Sequence, residues 1–459
     1  MGALAVLAIG VGMVSAALDG GSPSTGAATS ASSSTSPGQQ RRTAVADVLG
    51  RLNAALGSGD EAAFVAVADP QAPAAFREHQ LSVFRGMRAL DGLTSFRYAW
   101  PGESWFVAPT SQTGLSQDAF AAAVSLTYQL TGYDQSPVTD VVGLTLTHRG
   151  DHWYVRSDSD LDDQLALGGR FEPWSVGQVS VAQHGRAVVI GDPQHKAQNV
   201  RLAKRLDAVL GGVREMWPVK SWNGRVVAYA STYQPFVTSW FGSHAASNRK
   251  VDPSGDATFE AKVRVLPADS VVSNFDDFRP AAPRLVLTPY LLSRDDAYTE
   301  AVLRHELTHV ALALEPGVRP PTWMVEGVAE YTGFRAVTNG KVDGIGALAQ
   351  RGLRRDTWAQ LKRGTWKPSL VSGDDEFYAG SEATVDNAYT TAWFTCLYIA
   401  DHYGEATLRA LYTAAIAQPQ GQTQDQVEAA ALSSVLHTDR ASLLAATRTY
   451  ARSLRSHFV

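Results

Sequence analysis

His305-Glu306-Leu307-Thr308-His309 is the stretch of this 459-residue chain whose residue types and spacing can do chemistry. On a helix, positions four apart share a face, so both imidazoles can address one ion. Glu306 follows in phase and reaches a water on that ion, where a carboxylate acts as general base. Roughly one random chain in 100 of this size would carry the pattern by chance, so its surroundings must add weight. A catalytic zinc takes three protein ligands and keeps one position open. After roughly sixteen intervening residues, Glu326 lies in the first turns of a second predicted helix, with Thr322 placed to cap it. Pro320 and Pro321 in the connecting loop let that helix fold back, so His305, His309 and Glu326 form the expected Zn2+ ligand set. Glu330 falls on the same face as Glu326 and can hold a ligand histidine by its free ring nitrogen.

The elements that position these residues are also legible. Ser293 with Asp296 reads as a capping-box-like start for the motif helix. Val302, Leu303, Leu307, Val310 and Leu314 supply its apolar face, and Pro316-Gly317 ends it. The strand just before it, Leu285-Val286-Leu287-Thr288, is expected to offer an edge to an extended peptide. Further on, a long helix carrying Tyr389 and His402 is expected to stop at Gly404.

His305-Glu306-x-x-His309 followed by Trp323-x-x-Glu326-Gly327-x-Ala329-Glu330-Tyr331 resembles the gluzincin metallopeptidases, the thermolysin-like peptidase MA clan. The likeness is specific over residues 302–331 and more diffuse from 168 to 459. Within that clan the chain is most similar to actinobacterial envelope proteins. The resemblance implies peptide-bond hydrolysis at a single zinc, with Glu326 as third ligand and Glu330 supporting a ligand histidine. It also implies a tyrosine near the start of the long helix, Tyr389, as a donor to the oxyanion. His402, at the far end of that helix, is the rival donor, and its position suits a solvated or dipole-satisfying histidine better. The remaining histidines show no ligand spacing.

The chain around this site reads as several units. Residues 1–18 are apolar and uncharged, which suits a membrane anchor or a signal segment. No Lys or Arg precedes that run, which departs from the usual charged flank. Residues 19–42 are mostly Ser, Thr, Gly, Ala and Pro, the composition of a disordered tether. From 43 to 165, helices at 43–56 and 74–90 precede strand-like runs at 94–100, 104–107, 122–130, 141–147 and 152–156. That element order resembles the NTF2-like α+β cone fold. Residues 166–459 form the expected metallopeptidase domain, with a small β-rich lobe at 166–290 and a helical lobe at 291–459. In the β lobe a hairpin at 176–190 precedes a helix at 196–216. An aromatic run from Trp217 to Phe241 is read there as core. The fold class is therefore α+β.

Composition narrows the partners. With 40 Lys and Arg against 45 Asp and Glu, scattered rather than clustered, the chain lacks the basic face that nucleic acid requires. A single cysteine, Cys396, excludes an intrachain disulfide and fits a bacterial envelope better than a eukaryotic secretory route. The functional expectation is a zinc hydrolase outside the cytoplasm, anchored to the membrane by its N-terminal segment or secreted. Its substrates would be peptides or proteins, and Glu306 would activate the zinc-bound water. A cell-wall peptide cross-link is equally compatible with the motif. The alternative is a zinc-containing envelope binding protein with weak or no turnover. Oligomeric state is not encoded in any visible pattern.

Overall fold

A computed structural model describes residues 37–102, 106–107, 119–160, 172–233, 236, 240, 261–267, 280–287, 291, 297–335 and 355–454. The expected membrane segment, most of the tether and the Ser293/Asp296 helix start lie outside these residues. Among the described residues no helix is long and apolar enough to cross a membrane. They form a mixed α and β structure divided into two compact units. One runs to Val179 and includes the stretch ending at Ala282, and the other comprises Ser180–Leu266 and Pro283–Val459.

The amino-terminal unit opens with α1 (Pro37–Ser58), α2 (Glu61–Val65) and α3 (Ala74–Arg88). Val45, Val48, Leu49, Leu52 and Leu56 are the buried stripe of α1, as their spacing predicts. The described part of this helix nevertheless covers residues 37–42, the last six residues of the expected tether. An antiparallel sheet follows, built from β1 (Arg97–Ala99), β2 (Phe106–Val107), β3 (Ala119–Tyr128), β4 (Val138–Arg149) and β5 (His152–Ser157). Its order is β1-β3-β4-β5, with β2 also paired to β3. Arg149 pairs with His152 across a two-residue loop, and Gly150 adopts φ 58°, which a tight hairpin turn requires.

The unit extends beyond the expected boundary at 165 because of the short helix α4 (Pro173–Val176). Trp174 is fully buried, with its ring 5.0 Å from Tyr128 and 5.5 Å from Phe96. Gly86 of α3 lets the two backbones meet: a Cβ there would stand 2.5 Å from the Gly177 carbonyl. The hairpin strand expected from residue 176 accordingly begins only at Ser180.

The carboxy-terminal unit contains β6 (Ser180–His184), β7 (Ala187–Gly191), α5 (Lys196–Met216), β8 (Val226–Ala230), β9 (Ala261–Pro267) up to Leu266 and β10 (Pro280–Leu287) from Pro283 on. These strands form one sheet in the order β6-β7-β8-β10-β9. β7, β8 and β10 run parallel, and α5 is the connection between β7 and β8. Leu202, Leu206, Val209 and Val213 are the buried face of α5, and all five residues of β8 are buried. β10 lies between β8 and β9, so the peptide edge expected at Leu285–Leu287 is already occupied on both sides. The outer position belongs to β9, which residue patterning could not reveal because strand order is a tertiary choice. Trp217, Trp222, Tyr229, Phe236 and Trp240 are buried, whereas Tyr233 is 49% exposed.

Helices complete this unit: α6 (Ala297–Leu312), α7 (Thr322–Arg335), α8 (Arg355–Arg363), α9 (Asp374–Phe377), α10 (Glu382–Tyr403), α11 (Glu405–Ile416), α12 (Gln424–Val435) and α13 (Arg440–Ser453). α7 is buried on all sides, including Trp323, Glu326, Val328, Glu330, Tyr331 and Phe334. α10 stops at Gly404, whose φ of 89° suits a residue without Cβ.

Candidate metal centre

The centre is built where α6 and α7 pack together. Two glycines of α7 set how closely its neighbours approach. A Cβ on Gly333 would lie 2.7 Å from the Ala301 carbonyl and 3.2 Å from His305 Cβ, so α6 comes nearly to backbone contact. A Cβ on Gly327 would meet the Ala392 carbonyl and Cys396 Sγ at 2.8 Å, so α10 closes on the opposite side.

This packing brings His305, His309 and Glu326 together. His305 Nε2 and His309 Nε2 are 3.1 Å apart, and Glu326 Oε2 lies 3.3 Å from the first and 3.4 Å from the second. A tetrahedral zinc with bonds of about 2.0–2.1 Å separates its ligand atoms by about 3.3–3.4 Å. The three donors therefore already form one face of such a tetrahedron, and two imidazoles with one carboxylate suit that metal. Among the described residues they are the one group of three that could hold an ion. Glu330 Oε1 stands 3.3 Å from His305 Nδ1, so the second ring nitrogen has a carboxylate that orients the imidazole. Glu306 is fully buried beside them.

Electrostatics follow from this crowding. Burial alone would push the Glu326 carboxyl up, but His309 and His305 reverse that and hold it far below the ordinary range. Burial would likewise lower His305, yet its contacts with Glu326 and Glu330 push it up to about 10. Three carboxylates share the space with two imidazoles, so even two imidazolium charges would leave negative charge in excess. Two neutral imidazoles and one carboxylate oxygen converging on one point are a donor set that a divalent cation fits.

Thr322 does not cap α7 as expected. It is the first helical residue, and its hydroxyl donates to Asp374 Oδ1 at 2.6 Å. The Thr322 and Trp323 N–H groups instead donate to the Ser372 and Val371 carbonyls, at 2.8 and 3.1 Å. These bonds satisfy orphan donors of the first turn. One residue at the centre escaped sequence reasoning altogether. Tyr378 donates its phenolic hydrogen to Glu326 Oε1 at 2.7 Å. Burial and the neighbouring Glu326 charge raise its pKa well above the ordinary tyrosine value, so it stays a donor. No spacing rule links residues 52 apart, and the short acidic turn before it was the only local signal.

Tyr389 is buried on α10, with its ring edge-on to Phe377 at 4.9 Å and 6.4 Å from Tyr378. It thus stands one ring removed from the phenol that touches Glu326. His402 is exposed in the last turn of α10 and stacks on Tyr398 at 5.2 Å.

In comparison with known proteins, no family model matches the chain and no curated protein matches it.

Proposed function

We propose that this chain is a zinc-dependent peptide hydrolase of the gluzincin type. The supporting observation is the triangle of His305 Nε2, His309 Nε2 and Glu326 Oε2, with edges of 3.1, 3.3 and 3.4 Å. In this reading His305, His309 and Glu326 hold the ion, and Glu330 fixes the His305 ring through Nδ1. When bound, the ion supplies Lewis acidity that activates water and polarises the scissile carbonyl. Glu306 accepts the proton of the attacking water and passes it to the departing amine. Tyr389 donates to the oxyanion that develops on the carbonyl oxygen.

The surrounding architecture belongs to the same reading. Helices before an antiparallel sheet support an NTF2-like amino-terminal domain, and a small sheet before a helical lobe supports a gluzincin-type second domain. The apolar run at 1–18 and the Ser/Thr/Gly stretch after it support an extracytoplasmic protein, tethered to a bacterial membrane or secreted.

Glu306→Gln keeps the shape and removes the base. The expected result is unchanged zinc affinity with hydrolysis of a fluorogenic peptide library reduced by about 10²–10⁴-fold. Full activity in that variant would overturn the mechanism. Wild-type protein that is zinc-loaded yet cuts no peptide would favour a metal-containing binding protein.

A further inference from the structure

The residues between α8 and α10 do more than connect helices. Val371 and Ser372 offer their carbonyls to the first N–H groups of α7, at 3.1 and 2.8 Å. Two residues later Asp374 accepts from the Thr322 hydroxyl at 2.6 Å and from Arg319 Nη2 at 2.8 Å, with a second contact to the same guanidinium. These two donors lie on either side of Pro320-Pro321, where the chain enters α7. The segment then forms the single turn of α9 and ends in Tyr378, whose hydroxyl meets Glu326 Oε1. Residues 371–378 therefore grip α7 at its entrance and again one turn further along, at the side chain of a ligand.

A carboxylate ligand has a rotational problem that an imidazole lacks. Either oxygen of Glu326 can face the ion, or both can share it. With Oε1 committed to the Tyr378 hydroxyl, Oε2 faces the two Nε2 atoms at 3.3 and 3.4 Å. The phenol is held in turn by aromatic packing: Phe377 lies 5.1 Å away edge-on, and Tyr389 lies beyond it. Hydrogen bonds to the outer atoms of metal ligands commonly change metal affinity or activity by about 10–100-fold.

We infer that Tyr378 is a positioning residue for the metal, and that residues 371–378 form a strap that orients Glu326 so that one oxygen alone serves as ligand. The inference rests on the zinc reading above and adds a role for a segment outside the motif.

The test uses the full chain, titrated with zinc against a chromophoric chelator and separately loaded with cobalt(II) for its visible spectrum. Tyr378→Phe removes one oxygen and keeps the ring. It should bind zinc about 10–100-fold more weakly and show an altered cobalt spectrum, because the carboxylate is free to turn. Asp374→Asn loosens the grip at the helix entrance without touching the phenol, and should shift affinity in the same direction by less. A purely structural tyrosine would change thermal stability but leave the cobalt spectrum alone. Wild-type zinc affinity and an unaltered cobalt spectrum in Tyr378→Phe would overturn this inference while leaving the zinc reading intact. Wild-type protein that binds neither metal would overturn both.

Discussion

In the amino-terminal unit, the buried carboxylates of Asp69 and Asp134 each have their own donors. Asp69 is nearly inaccessible, and its oxygens take the Gln71 N–H at 2.9 Å and the Arg149 guanidinium at 3.1 Å. Asp134 accepts the Leu130 N–H at 2.8 Å and closes a turn. The α6/α7 pair of the carboxy-terminal unit buries Glu306, Glu326 and Glu330 together with His305 and His309. Its neighbour Glu428 follows the first pattern, since it is paired to Arg440 and to the Ser372 hydroxyl. A buried carboxylate with its own donor is a fastener that locks local structure. Carboxylates gathered around two imidazoles are a different arrangement, a shared donor set that one ion could bridge. Burial of charge therefore has two meanings in one chain, and the partner set separates them.

Three changes sharpen or break that contrast, from the largest expected effect downward. Asp69→Ala should cost the amino-terminal unit about 2–3 kcal/mol, because Arg149 and the Gln71 N–H lose their acceptor. Zinc content should not change. Urea unfolding followed by tryptophan fluorescence reads the first quantity and metal analysis the second. A drop in bound zinc would erase the distinction between fastener and centre.

Gly333→Ala tests the close approach that assembles the centre. The added methyl meets the Ala301 carbonyl at 2.7 Å, so α6 and α7 must part by a few tenths of an ångström. Overpacking of this kind costs about 1–3 kcal/mol. Here it should weaken zinc binding as well, because the shift separates His305 from Glu326. Thermal denaturation with a zinc titration checks both, and wild-type values for the pair would show that the helices have slack.

The smallest effect is a pH dependence confined to the amino-terminal unit. His79 Nε2 lies 3.4 Å from Asp158 Oδ2, and the Asp158 hydrogen bond raises His79 above its ordinary 6.5 despite opposing burial. Since the folded value is the higher one, this pair's contribution is complete below about pH 6.5 and fades as pH rises through the folded value. Urea midpoints from about pH 5 to about pH 9 should fall accordingly, and His79→Gln should flatten that slope. An unchanged slope in the variant would remove His79 from the account.

Much of this was legible from residues alone, and the reason is local physics. His305, Glu306 and His309 lie on one helix, so a period of 3.6 places them without knowledge of the fold. Glu326 needed one more step, a short loop with two prolines that returns the chain. The α1 stripe and the 196–216 helix were equally open to reading, because a buried face shows as spacing. What stayed hidden depends on distant chain segments. Tyr378 reaches Glu326 from 52 residues away. The place of β10 between β8 and β9 is a choice of strand order. Thr322 looked like a cap, but backbone carbonyls of residues 371 and 372 had already taken that task. Trp174 drew a further turn into the amino-terminal unit through packing that no periodicity announces.

The most direct test of the central claim is the metal content of the purified full chain, wild type and Glu326→Ala side by side. The account predicts about one zinc per wild-type chain and essentially none in the variant, with both proteins folded. Absence of zinc from both, even after reconstitution, would contradict it.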